Sequence, residues 1–102
     1  MIARIWRGYA PSKERADAYE TFLRETFLPA ATKIAGYRGA HVLRRTVGDE
    51  IEFVTVTRFA SLDAIKAFAG EDAEKANVAP RARELLGRWD DRCTHFEIVI
   101  DS

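Results

Sequence analysis

The chain has 102 residues, and its sixteen basic and sixteen acidic side chains cancel at neutral pH. That length fits one domain, 1–102, with a small core that would gain from further burial at a subunit interface. Balanced charge without runs of like sign argues against nucleic acid or an anionic membrane surface as a partner. No apolar stretch approaches the ~20 residues of a membrane span. The lone Cys93 cannot form an internal disulfide. The opening run Met1-Ile2-Ala3-Arg4-Ile5-Trp6-Arg7 has no apolar signal core, so the expected location is cytoplasmic.

Residues 2–9, rich in Ile, Trp and Tyr, predict a first strand that Pro11-Ser12 stops, with Ser12 placed to cap a helix. Tyr19, Phe22, Leu23, Thr26, Phe27 and Ala30 recur at helical spacing as one apolar stripe, opposite charged residues from Lys13 to Glu25. This first helix is expected to kink or end near Pro29. Gly36-Tyr37-Arg38-Gly39 predicts a turn, 40–47 a second strand, Gly48-Asp49 a hairpin, and 50–59 a third strand. Ser61 predicts the cap of a helix carrying Leu62, Ile65, Phe68 and Ala69 and interrupted at Gly70. A weaker helical stretch is expected from Glu71 to Asn77, then a short helix from Pro80 to near Arg88. The last strand is expected over 94–100.

The order β-α-β-β-α-β predicts an α+β, ferredoxin-like fold: a four-stranded antiparallel sheet with both helices on one face. A sheet buried on one side should alternate apolar and polar residues. Here strands one, three and four keep apolar residues on both faces. The uncovered face is therefore expected to pack on a second copy, giving a homodimer.

Three segments resemble the antibiotic biosynthesis monooxygenase family of dimeric α+β barrels: Ala35-Gly36-Tyr37-Arg38-Gly39, the run Phe59-Ala60-Ser61-Leu62-Asp63-Ala64-Ile65-Lys66-Ala67-Phe68, and His95-Phe96-Glu97. The resemblance implies a dimeric barrel and, as one expectation, cofactor-independent monooxygenation of a small aromatic or phenolic compound. The alternatives are a non-catalytic small-molecule-binding or stress-related dimeric module, and a purely structural dimer. Haem-degrading members carry an axial histidine in the helical region after strand three, a tryptophan earlier in that region, and an asparagine near the end of strand one. This chain has no histidine in 60–88, Phe68 near the tryptophan position, and Trp6 or Arg7 near the asparagine. Haem degradation is therefore not the expected activity.

No phosphate loop, metal-ligand spacing or nucleophile elbow is present, so neither cofactor nor metal is expected. His95 and His41 are the two side chains whose ordinary charge changes near neutral pH. His95 is the candidate base, against a role as a hydrogen-bonded strand histidine. Arg4 is the candidate clamp for a substrate anion, against a role paired with a carboxylate. Trp6, His41, Phe22 and Phe68 are the candidate substrate-binding residues, although Trp6, Phe22 and Phe68 also serve as core. Cys93 is expected to be a buried, unreactive thiol.

Overall fold

The computed structural model describes residues 1–102. Strand β1 (Ile2–Ala10) leads through Ser12, whose Oγ accepts from the Arg15 N–H at 3.2 Å, into α1 (Lys13–Phe22). The helix continues through a π-helical stretch, Leu23–Phe27, into α2 (Leu28–Ala31). In that stretch the Leu28 N–H reaches back five residues to the Leu23 carbonyl. The wider turn falls just before Pro29, which has no N–H to extend the ladder. It also shifts the register by one. Ala16, Tyr19, Leu23 and Ala31 are buried, whereas Thr26 and Ala30, expected in the apolar stripe, face solvent.

Strand β2 (Tyr37–Val47) begins earlier than expected, with a bulge between Tyr37 and Gly39 inside the glycine-framed segment. Strand β3 (Glu50–Phe59) follows, then α3 (Leu62–Ala69), where Ser61 Oγ accepts from the Ala64 N–H at 3.2 Å. Residues 71–77 are not helical. Their backbone groups are satisfied across the chain instead: Ala76 N–H donates to the Asp91 carbonyl, and the Glu74 carbonyl accepts from Cys93 N–H. Helix α4 (Pro80–Leu85) stops short of Arg88, because Arg88 and Trp89 form a two-residue strand, β4. Strand β5 (Thr94–Glu97) is shorter than the expected 94–100.

All pairings are antiparallel in the order β2-β3-β1-β4, and β5 also pairs with β1. The fourth sheet position is thus shared by two short strands, β4 beside Gly8 and Tyr9 and β5 beside Ile2 to Ile5. This is the expected α+β ferredoxin-like architecture with its last strand interrupted. One face carries Ile51, Phe53, Thr55, Thr57 and Phe59, all buried under the helices. The core there is split. A larger cluster joins Tyr19, Leu23 and Phe53 to Leu85 and Leu86; a smaller one joins Phe59 to Ile65 and Ala73.

The opposite face has no helix on it. Ala3, Ile5, Val54 and Val56 lie there with Leu43, 51% exposed, and Phe96, 55% exposed. Toward the other end the same face turns polar. Glu52 accepts from Arg45 Nε at 2.5 Å and lies near Arg7 and Tyr9, while Arg88 stacks over the Tyr9 ring at 3.7 Å.

Gly36 anchors α3 to the sheet. Its φ is +85°, its carbonyl accepts from Ala60 N–H at 2.7 Å, and an added Cβ would lie 2.6 Å from the Ala64 Cβ. Backbone strain and overpacking therefore act together. Gly36→Ala is expected to cost about 2–4 kcal/mol of stability. A urea midpoint no lower than that of the parent chain would contradict this packing.

Candidate functional site

The gap between the two core clusters is a cavity of about 150 Å³, walled by the sheet, by the helix from Tyr19 to Ala31, by α3 and by the segment 76–79. Its lining is mostly apolar: Trp6, Phe22, Phe27, Phe59 and Phe68 supply much of the surface. An apolar cavity of about that volume takes a guest the size of benzene.

Arg4 enters this wall from the middle of β1. It is 6% exposed. One guanidinium nitrogen, Nη1, donates to the Ala73 carbonyl and lies 2.8 Å from His95 Nε2, while Nη2 donates to the Lys75 carbonyl at 3.1 Å. The plane also stands over the Phe68 ring at 5.6 Å. None of the molecule's ion pairs involves Arg4, so the expected alternative of a carboxylate partner is not what is found. Burial pulls its pKa down from the ordinary value, but a guanidinium remains charged at neutral pH. Cys93 also lines the cavity; burial pushes its thiol up and keeps it neutral, so it supplies no counter-charge.

His95 lies opposite Arg4 in the β1–β5 register. Burial, reinforced by the Arg4 charge, pulls its pKa below the ordinary value. The neutral ring therefore accepts from Arg4 through Nε2 and carries its proton on Nδ1.

Two threonines, two residues apart on β3, also face the cavity. Thr57 Oγ1 donates to the Arg4 carbonyl at 3.4 Å. Thr55 Oγ1, by contrast, is buried without a hydrogen-bond partner. Burial pushes the nearby Tyr19 hydroxyl up to about 12, an effect that the Thr55 hydroxyl partly offsets. The Trp6 indole N–H is committed to the Asp90 carbonyl at 2.6 Å, which leaves its ring face for packing.

Of the residues singled out from sequence, Arg4, Trp6, Phe22 and Phe68 line the cavity. His95 sits one layer behind Arg4 and is not itself in the lining. His41 lies on the opposite sheet face, paired with Val56 and 3.0 Å from Arg58 through Nδ1. The bulge at Tyr37–Gly39 fixes which side each β2 residue takes, and that break in register was not readable from the alternation. Sequence reasoning missed Thr55. Its signal was a pair of hydroxyls, Thr55 and Thr57, among Ile51, Phe53 and Phe59 on one strand face.

Comparison with solved structures matches the whole chain. The heme-degrader MhuD from Mycobacterium tuberculosis, solved with two hemes bound in its active site, superposes with a TM-score of 0.68 at 21% identity, covering 100% of this chain and 99% of that one. A single-residue variant of MhuD, with two manganese protoporphyrin IX per active site, gives 0.66 at 25% identity over 100% and 98%. A candidate antibiotic biosynthesis monooxygenase from Bacillus cereus gives 0.63 at 16% identity over 99% and 93%. The chain has the antibiotic biosynthesis monooxygenase fold. No protein family matches by sequence profile, and no curated protein matches by sequence.

In this chain, the burial of His95, reinforced by the Arg4 charge, makes stability depend on pH. The unfolded imidazole binds protons near 6.5, whereas the folded one resists them until lower pH. Between those values the unfolded state holds more protons, so stability is full above the unfolded value and falls as pH drops toward the folded one. The thermal midpoint should decline as pH falls below about 6.5, and His95→Gln should flatten that decline. An unchanged slope in the variant would show that other groups govern it.

Proposed function

We propose that the chain is a cofactor-independent oxygenase for a single-ring, phenol-like compound held as its anion against Arg4. The observation that carries this reading is a buried guanidinium without an anionic partner at the wall of an aromatic cavity. A buried charge is costly unless paired, so the site is suited to an anionic guest. The ligand oxygen takes Nη1 of Arg4, which releases His95 Nε2 to accept the phenolic proton. Trp6, Phe22 and Phe68 hold the ring. The electron-rich ring reduces dioxygen: one oxygen atom becomes a ring carbonyl, and the other leaves as water.

Haem is the competing ligand, because MhuD, a heme-degrader, shares the fold. Two features favour the smaller guest. No histidine lines the cavity, and its volume of about 150 Å³ suits one ring rather than a porphyrin. Oxygen uptake should appear with single-ring hydroquinones and fall by about tenfold to hundredfold in Arg4→Lys, which keeps the charge but loses the two-pronged donor. Equal uptake by the variant would remove the support for Arg4. A Soret shift and haem loss on adding haemin would favour the competing reading.

The apolar half of the bare sheet face supports a homodimer in which two such faces meet around Ile5, Leu43, Val54, Val56 and Phe96. Sedimentation at micromolar concentration should give a dimer, and Val56→Glu should shift it toward monomer. A monomeric parent chain would overturn this assembly.

A further inference from the structure

The Thr55 hydroxyl is the one buried side-chain polar atom in the molecule without a hydrogen-bond partner. Thr55 is 7% exposed, and it faces the cavity. Thr57, two residues along the same strand and also on the cavity wall, shows that a hydroxyl on this face can find a partner, since it donates to the Arg4 carbonyl. An apolar cavity wall would be served as well by valine, which has nearly the same shape and no hydroxyl to strand. With no protein partner the hydroxyl carries a cost that a ligand oxygen would remove.

The register fixes where this second polar group stands. Arg4 lies opposite Thr57, whereas Thr55 lies opposite Trp6. The two threonine Cα atoms are therefore about 7 Å apart along the strand. The Tyr19 hydroxyl is a neighbour of Thr55, yet no hydrogen bond of normal geometry joins them. A ligand oxygen within reach of Thr55 Oγ1 would supply the missing partner. The cavity wall thus carries a cationic group at Arg4, hydroxyls at Thr55 and Tyr19, and aromatic side chains around them.

We infer that Thr55 is a specificity-determining residue, selecting aromatic anions that carry a second oxygen on the far side of the ring. This rests on Arg4 holding the first oxygen, as proposed above. Titration calorimetry without oxygen, using 4-hydroxybenzoate and benzoate as probes, separates the two ideas. The parent chain should bind 4-hydroxybenzoate about tenfold more tightly than benzoate. Thr55→Val should bring that ratio to about one, and Thr55→Ser should restore it. Equal binding of both probes by the parent chain, or a preference that survives in Thr55→Val, would overturn the role of Thr55 and leave that of Arg4 standing. Binding of neither probe would remove the Arg4 reading and this inference with it.

Discussion

The site depends on one buried guanidinium. Arg4 stands in the central strand of the sheet, yet its hydrogen bonds go to carbonyls of a segment some seventy residues later. Those carbonyls, of Ala73 and Lys75, belong to a stretch whose own backbone bonding is a single turn, from Lys75 N–H to the Asp72 carbonyl. A buried carbonyl without a partner is costly, so the guanidinium does for this segment part of what a helix would have done. The same contact holds the adjoining residues Ala76 to Ala79 over the cavity. Arg4 is therefore both a strut and a charge. The strut role explains why the side chain is buried; it does not explain why no carboxylate accompanies it.

The cavity follows from the split core. The Tyr19–Phe53–Leu85 cluster and the Phe59–Ile65 cluster each close on themselves, and the sheet residues between them are Thr55 and Thr57 rather than large apolar ones. Leucine or phenylalanine at those two positions would fill the gap and join the clusters. The space is thus written into β3 by two small polar side chains on a face otherwise built of Ile and Phe. Arg4, Thr55 and the emptiness between the clusters each stabilise the chain less than a fully apolar core would. Departures of this kind from good packing are where function is to be looked for.

Much of the fold was legible because it rests on short-range rules. Ser12 and Ser61 cap their helices as expected, the hairpin turns at Gly48-Asp49, and β3 covers the expected 50–59. What was not legible depends on contacts distant in sequence. Residues 71–77 have helix-compatible composition, but their backbone pairs with 91–93. The last strand breaks where that pairing takes up Asp91 to Cys93, just past Asp90, whose N–H still donates to the Arg7 carbonyl of β1. The π-helical turn moves the buried positions from Ala30 to Ala31, a shift of one residue that a fixed 3.6 period does not capture. At the site, the aromatic walls were readable from helical and strand spacing. The side taken by His41 was not, because one bulge in β2 reverses it.

The two sheet faces divide the roles. On the helix face Arg4, Thr55 and Thr57 are buried polar residues in the wall of one cavity, while Arg44 pairs outward with Asp17 and Glu20. Across the sheet, Arg7, Arg45, Glu52 and Arg88 are joined by ion pairs and stacking at one end, and the apolar residues at the other are bordered by the His41–Arg58 pair. Side chains alternate strictly along a strand, so β1 sends Arg4 to the cavity and Ile5 to the bare face. A partner packed on Ile5 would stiffen the backbone that also aims Arg4, although it would touch no ligand. Recognition on one face and association on the other, as proposed, would therefore be mechanically linked through a single strand. The four residues Ala3 to Trp6 carry most of that linkage.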